Sequence, residues 1–534
     1  MTHEITLAGN FGEPRPNHFH GGLDITTQRE EGKAVRAIGD GYVSRIVVSL
    51  TGCGNALYVT HADGHTSAYF HLQRFTPRLE RLLQQYQYAH EQHEVDFRLS
   101  ADKYPVAQGQ LIAFSGNTGT SFGPHLHLEI QETATGRMLD PLEFLGAYVN
   151  DTVAPRVHGV MAYPQPGTGL FNGLANRQQV KGDTATAWGR IGFAVWADDY
   201  MQNMPNHYGI RHTSFLVDGR EVFSADVNGV LPHANRMVNS WGDYDYYWHQ
   251  SDWYLKSFIE PGNTLSVLQA DEQRGIVDIN EERDYHFEYV LKDYFGNTSR
   301  YAFTVRGRHP DTPLSHVQNQ RVPLAQGVSL LRWNRTGTVS LPGLQLVVPR
   351  GNLGDDVALR PVVIRDSAMT DDASFLSSAY RLAPVSCPLF RYAELSIHVS
   401  SQVADTGKLY IVFRRDKNNY YVRSTYADGW VTGQVRDLGG TFTLAYDDVA
   451  PTIELKHDGQ VVRADVKDAG SGVNTCKAYV DGQFVLFKRV PRSTQLVCRL
   501  SDTPLKRIGG QRTLKFVATD NCGNEATAVT EIKY

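Results

Sequence analysis

The chain has 534 residues, which at about 150 residues per domain suggests three to four domains, each long enough to bury its own core. Lys and Arg total 52 against 57 Asp and Glu, a formal charge of -5 at pH 7; with no basic excess to follow a phosphate backbone, no nucleic-acid partner is expected. Hydrophobic residues make up 41%, with 48 Gly, 27 Tyr, 23 Phe and 7 Trp, a globular, β-leaning composition without the run of about 18 apolar residues that a membrane-spanning helix needs.

Met1-Thr2-His3-Glu4 has neither a basic nor an apolar leader segment, so no secretory signal is visible at this start. Five cysteines (Cys53, Cys387, Cys476, Cys498, Cys522) are too few for a disulfide-stapled scaffold, and no CxxC suggests a thiolate metal site. Residues 1 to 150 hold 10 of the 20 histidines, which directs the search for chemistry there. In chain order that stretch reads as strands over 34–37, 41–48, 56–60 and 66–70, separated by Gly-rich or Asp-Gly turns. Thr76-Pro77 then offers an N-cap and an N1 proline, and Leu79, Leu82, Leu83 and Tyr86 recur at helical spacing, predicting an amphipathic helix over 76–92. Strands resume at 111–115 and 125–130, and Asp140-Pro141-Leu142 closes the module.

Beyond residue 151 short alternating strands continue to the end, the pattern of β-sandwich modules. Val153-Ala154-Pro155 and Val449-Ala450-Pro451 match as openings, and Asp293-Tyr294-Phe295-Gly296-Asn297 and Asp520-Asn521-Cys522-Gly523-Asn524 match as late turns. The economical division is a module over 1–150, Ig-like sandwiches over 151–308 and 449–534, and between them, after a polar linker at His309-Pro310-Asp311-Thr312-Pro313, a β-rich module of uncertain type over 309–448. Cys476 and Cys522 fall near turns at one end of the last sandwich and form an expected disulfide if the protein is exported. The Asp-x-x-Gly-Asn pairs read as turn chemistry, with a Ca²⁺ site as the alternative.

His125-Leu126-His127 places two imidazoles on one strand face, which suits a metal or a proton transfer, although an isolated HxH also fits an ordinary strand. His20-Gly21-Gly22-Leu23-Asp24 adds an imidazole and a carboxylate across two glycines that free the backbone to turn. Nitrogen and oxygen ligands without thiolate suit Zn²⁺, and three protein ligands leave the fourth tetrahedral position for water. His90-Glu91-Gln92-His93 is one residue short of HExxH and reads as surface histidines, as do His61 and His65 beside their turn. The aromatic run Trp241 to Trp248 reads as packing rather than a glycan-stacking surface.

Asn17-His18-Phe19-His20-Gly21-Gly22-Leu23-Asp24, Thr66 to Leu72, Gly109 to Gly119 and Gly123-Pro124-His125-Leu126-His127-Leu128-Glu129 together, in order and spacing over about 11–146, resemble the M23 (lysostaphin/LytM-type) peptidoglycan endopeptidases. The resemblance implies a mainly β fold: an antiparallel M23 module with a helical insertion, here followed by three β-sandwich-like modules. It implies that His20, Asp24 and His127 are zinc ligands and that His71 and His125 are the catalytic histidines beside the water and the scissile carbonyl. LytM-like modules that lack ligands act as regulators, and here all five positions are filled. The implied substrate is the peptide cross-link of peptidoglycan, and the implied place is the cell envelope, periplasmic or outer-membrane-associated, with a leader already removed and with envelope partners for the C-terminal modules. The alternatives are a wall-binding or amidase-activating protein and a zinc endopeptidase acting on other peptides. The departure from a minimal member is the stretch 76–104, which either walls the cleft or packs peripherally.

Overall fold

The computed structural model describes residues 5–182, 185–311, 327–366, 376–383, 386–505 and 510–533. The start at Met1 to Glu4 and most of the linker after residue 311 lie outside the described residues. Strands dominate throughout, and no described helix is long and apolar enough to cross a membrane.

In the N-terminal part the main sheet runs, in spatial order, Leu7–Gly9, Leu23–Thr26, His125–Glu132, His65–Phe70, Asn55–Thr60, Gly41–Val48 and Val95–Arg98, every pair antiparallel. A three-stranded sheet of Ala34–Arg36, Leu111–Phe114 and Arg74–Phe75 lies beside it. Strand His125–Glu132 is a two-faced ribbon: Leu126, Leu128 and Ile130 are buried apolar residues, and the alternate positions His125, His127 and Glu129 project to the opposite face.

The predicted helix forms over Pro77–His90, with Thr76 as N-cap and Glu91 in the left-handed conformation at its C-terminal end. Leu79 and Leu83 bury against the N-terminal core, and Val95–Arg98 adds itself to Gly41–Val48 at the sheet edge. The strand of the insertion is therefore separated from His125–Glu132 by three intervening strands. The outer side of the insertion meets the last module. Glu91 Oε2 accepts from the Tyr479 hydroxyl at 2.8 Å and pairs with Lys477 Nζ at 3.4 Å, and the Tyr88 and Phe484 rings lie 5.5 Å apart.

Residues 156–307 form one eleven-stranded set around a core of their own, built on the long strands Arg156–Phe171 and Thr186–Tyr200. That core also takes in Phe11, Phe19 and Met138, and Met138–Leu139 pairs with Gly229–Val230, so the main sheet continues across residue 150. Between 329 and 446, two five-stranded sheets enclose a third core; between 452 and 533, two four-stranded sheets enclose a fourth. Trp241 and Tyr244 are buried and Tyr247 stacks on Trp253, the packing expected for that run, while Trp248 at its end is exposed.

The expected Cys476 to Cys522 disulfide is absent, and all five cysteines are free. Cys476 stands opposite Ala518 within its sheet, while the Cys522 thiol, in the turn beyond, donates to the Lys408 carbonyl at 3.6 Å. Of the histidines read as surface groups, His90 is exposed, whereas His61 and His93 are less solvated than expected. His61 bonds to the Asp40 carbonyl and the Ser67 hydroxyl, and His93 is half-buried beside the last module.

Candidate metal centre

Strand register does most of the assembly. His127 stands directly opposite Asp24 on one side and Phe70 on the other, so residues 103 apart in sequence become cross-strand neighbours. His20 reaches the same point from the segment just before Leu23–Thr26. The two glycines between His20 and Asp24 do this differently from the expectation: neither lies in the left-handed region. A Cβ on Gly22 would sit 2.2 Å from the Leu128 carbonyl oxygen, and one on Gly21 would sit 2.7 Å from Glu129 Oε1. Their lack of a side chain serves close approach to the HxH strand, not a turn.

His20 Nε2, His127 Nδ1 and Asp24 Oδ1 face one another at 2.8 to 3.0 Å. The outer nitrogen of each imidazole is engaged: His20 Nδ1–H donates to the Asn10 carbonyl at 2.5 Å, and His127 Nε2–H donates to Glu129 Oε1 at 3.1 Å. These outer bonds fix the tautomers and leave a lone pair on each inner nitrogen. Three acceptors at such separations repel unless a cation or a proton lies between them. The donor set, two nitrogens and one oxygen all within 4.8 Å of one another, therefore fits a divalent ion of the borderline class. Arg15 Nη2 holds the other Asp24 oxygen at 3.0 Å, which leaves one oxygen for the ion.

Titration behaviour follows from the same contacts. Burial opposes ionisation of Asp24, but His20 and the facing ring nitrogens of His125 and His127 hold its carboxyl far below the usual range. Burial pulls His20 down. At His127 burial is outweighed by the bonds to Asp24 and Glu129, and the group is pushed up to about 9: without a metal, a proton on this ring takes the cation's place. His71 is pulled down to about 4 by burial and by the charges of His125 and His127, so it is a neutral base at pH 7.

His71 and His125 form the second half of the site, with ring centroids 4.8 Å apart and His125 Nε2 at 3.3 Å from Asp24 Oδ1. Each is oriented through Nδ1, His71 by the Thr118 carbonyl and His125 by the Gly123 carbonyl, both at 2.8 Å. Both Nε2 atoms are thereby left free to accept a proton. His71 itself has φ of 59°, a left-handed backbone that costs a non-glycine residue free energy. All five residues singled out in the sequence thus converge. Asn10, Arg15 and Glu129, which orient them, were missed. Glu129 was discoverable, since it follows His127 by two on the same strand face; Asn10 and Arg15 carry no local signal.

Among proteins of known description, 131 residues of the chain are 29% identical to an uncharacterized metalloprotease of Haemophilus influenzae, covering 24% of this chain and 21% of that one. A DD-carboxypeptidase/endopeptidase, Mpg, of Neisseria meningitidis is 30% identical over 124 residues, 23% of this chain and 22% of that one. The murein hydrolase activator NlpD of Salmonella dublin is 33% identical over 136 residues, 26% and 28%. The N-terminal module is thus similar to M23-type proteins, peptidases and a hydrolase activator among them. The chain spans less than a third of the length of these relatives. Further along the chain, residues 328–447 match the Zu5-like domain model, within the β-rich stretch that the sequence left uncertain.

Proposed function

We propose that the chain is a zinc metallo-endopeptidase that hydrolyses the peptide cross-links of bacterial peptidoglycan. The observation that carries this reading is the complete constellation: His20, Asp24 and His127 as three mutually facing acceptors, with His71 and His125 beside them. His20, Asp24 and His127 would hold Zn²⁺, which when bound supplies a water acidic enough to attack at neutral pH and a Lewis acid for the scissile carbonyl. His71 and His125 accept the proton of the attacking water and steady the developing oxyanion, the neutral imidazole of His71 being ready for the first of these tasks. Glu129 and Asn10 keep the ligand rings turned inward. The relatives named as a metalloprotease and a DD-carboxypeptidase/endopeptidase support this reading. Location in the periplasm or at the outer membrane, and a division at about 1–150, 151–308, 309–448 and 449–534 with the C-terminal modules meeting envelope partners, belong to the same proposal.

The likeness to a murein hydrolase activator favours a second reading, stimulation of an amidase without intrinsic hydrolysis. One assay separates the two. Purified protein is incubated with sacculi, and released muropeptides are identified by mass spectrometry. Release that stops on chelation and returns with Zn²⁺ is the expected result. No release with zinc bound, together with stimulation of an added amidase, would overturn the endopeptidase in favour of the activator.

A further inference from the structure

Away from the histidines, the described residues bring three aspartates together twice. Asp151, Asp199 and Asp293 each offer a carboxylate oxygen within 4.8 Å of the others, and so do Asp447, Asp468 and Asp520. The clusters are built alike. Asn297 Nδ2 donates to Asp293 Oδ2 at 2.6 Å and to the Asp151 carbonyl at 3.2 Å; Asn524 Nδ2 donates to Asp520 Oδ2 at 2.7 Å and to the Asp447 carbonyl at 2.8 Å. In the second cluster the turn supplies the donors: the Ser471 amide bonds to Asp447, and the Gly470 and Gly472 amides bond to Asp468. That arrangement is satisfied by its own backbone.

In the first cluster the Val153 amide donates to Asp151 at 3.0 Å and the Asn297 amide to Asp293 at 2.8 Å, but Asp199 Oδ1 is left out. Asp199 is 5% exposed, and its Oδ1 has no hydrogen-bond partner. The charged groups beside it are the buried carboxylates of Asp151 and Asp293. Arg211 lines the same space, but its guanidinium is committed to Asp140 at 2.7 Å, Glu143 at 2.9 Å and Asp226 at 2.8 Å. A buried carboxylate oxygen with neither donor nor cation is costly. Burial, with the charge of Asp293 added, pushes the Asp199 carboxyl up to about 8. The three aspartates line, with Asn10 and Arg211 among others, a cavity of about 20 Å³, room for one water or one ion.

We propose that Asp151, Asp199 and Asp293 bind a hard divalent cation, Ca²⁺. The donors are all oxygen, without the nitrogen that marks the histidine site. A buried, tight site also disfavours Mg²⁺, which keeps several of its waters. Asp151 lies in the connection leaving the N-terminal module, Asp199 in strand Thr186–Tyr200, and Asp293 just after strand Asp284–Lys292. One ion would tie the connection to two strands of the next module. Asn10 lines the same cavity, bonds to Gly209 through its side chain and backs His20 through its carbonyl, so the ion would also firm the support of the histidine site.

The test is calcium titration into the dialysed full-length chain, read by calorimetry and by thermal melting, in the wild type and in Asp199→Asn, Asp151→Asn and Asp468→Asn. The wild type should bind Ca²⁺ and gain several degrees in Tm. Asp199→Asn and Asp151→Asn should bind at least tenfold more weakly and lose the gain. Calcium-free Asp199→Asn should melt no lower than the wild type, because an uncharged amide of the same volume suits the buried position when no cation is there. Asp468→Asn should respond as the wild type does. The proposal is overturned if the wild type shows neither heat nor a Tm shift up to about 5 mM Ca²⁺, above the range of weak extracellular sites. It is equally overturned if Asp199→Asn keeps the full response or if Asp468→Asn loses it.

Discussion

His125 and His127 share one strand face two residues apart, yet their neighbours give them different work. His127 has its outer nitrogen on Glu129 and its inner nitrogen against His20 and Asp24, whereas His125 is turned by Gly123 so that Nε2 stands at the edge of the site. On the proposed reading His127→Ala removes one of three ligands, and both bound zinc and turnover should be lost. His125→Ala should keep near-stoichiometric zinc while turnover falls about 10²-fold or more, the scale of a lost general base or oxyanion donor. Elemental analysis beside muropeptide release checks both; an empty site in His125→Ala with metal kept in His127→Ala would reverse the assignment. Glu129→Gln should weaken zinc binding by about 10- to 100-fold, as a lost ligand-orienting partner does, read by competition with a chelating dye. The five core residues were legible because each stands in a short local pattern. The residues that aim them were not, because the Asn10 carbonyl and the Arg15 guanidinium reach the site through the fold of the chain, which no residue spacing encodes.

At the scale of elements, the helix was legible from its Leu spacing and its Thr-Pro start, but its purpose was not. Its inner face is core: Leu79 is fully buried, and Leu79→Ala should cost about 2–5 kcal/mol in a urea melt. Its outer side and the turn after it carry the last module, a contact that depends on residues almost 400 positions away. His93 lies in that seam, and burial together with the charges of Lys488 and Arg489 pulls it down to about 4. Glu91, Glu94, Lys477 and Arg489 line the same cleft. With the folded value below the ordinary 6.5, the unfolded chain binds more protons between the two. The stabilising effect of a neutral His93 is therefore fully present above about 6.5 and is lost as pH falls toward 4. Melts across that window should show a steeper acid loss for the wild type than for His93→Gln. Identical slopes would remove His93 from the account.

For the whole molecule, alternating strands and turn signals made the mainly β character legible, whereas the pairing and packing across residue 150 carry no local signal. The N-terminal sheet is continued by Gly229–Val230, and Phe11, Phe19 and Met138 belong to the next core. Asn235 and Asn239 accept from the backbone amides of Phe19 and Asn17, beside His20. A chain ending at residue 150 should therefore melt lower than one ending at 308 and hold zinc more weakly, measured by scanning calorimetry and metal titration. Equal behaviour of the two would make the shared core incidental. The same continuity limits what recombination can do with this protein. A crossover at residue 150 that joined the N-terminal module to an unrelated neighbour would leave Met138–Leu139 as an open sheet edge and two phenylalanines in water, a template for self-association.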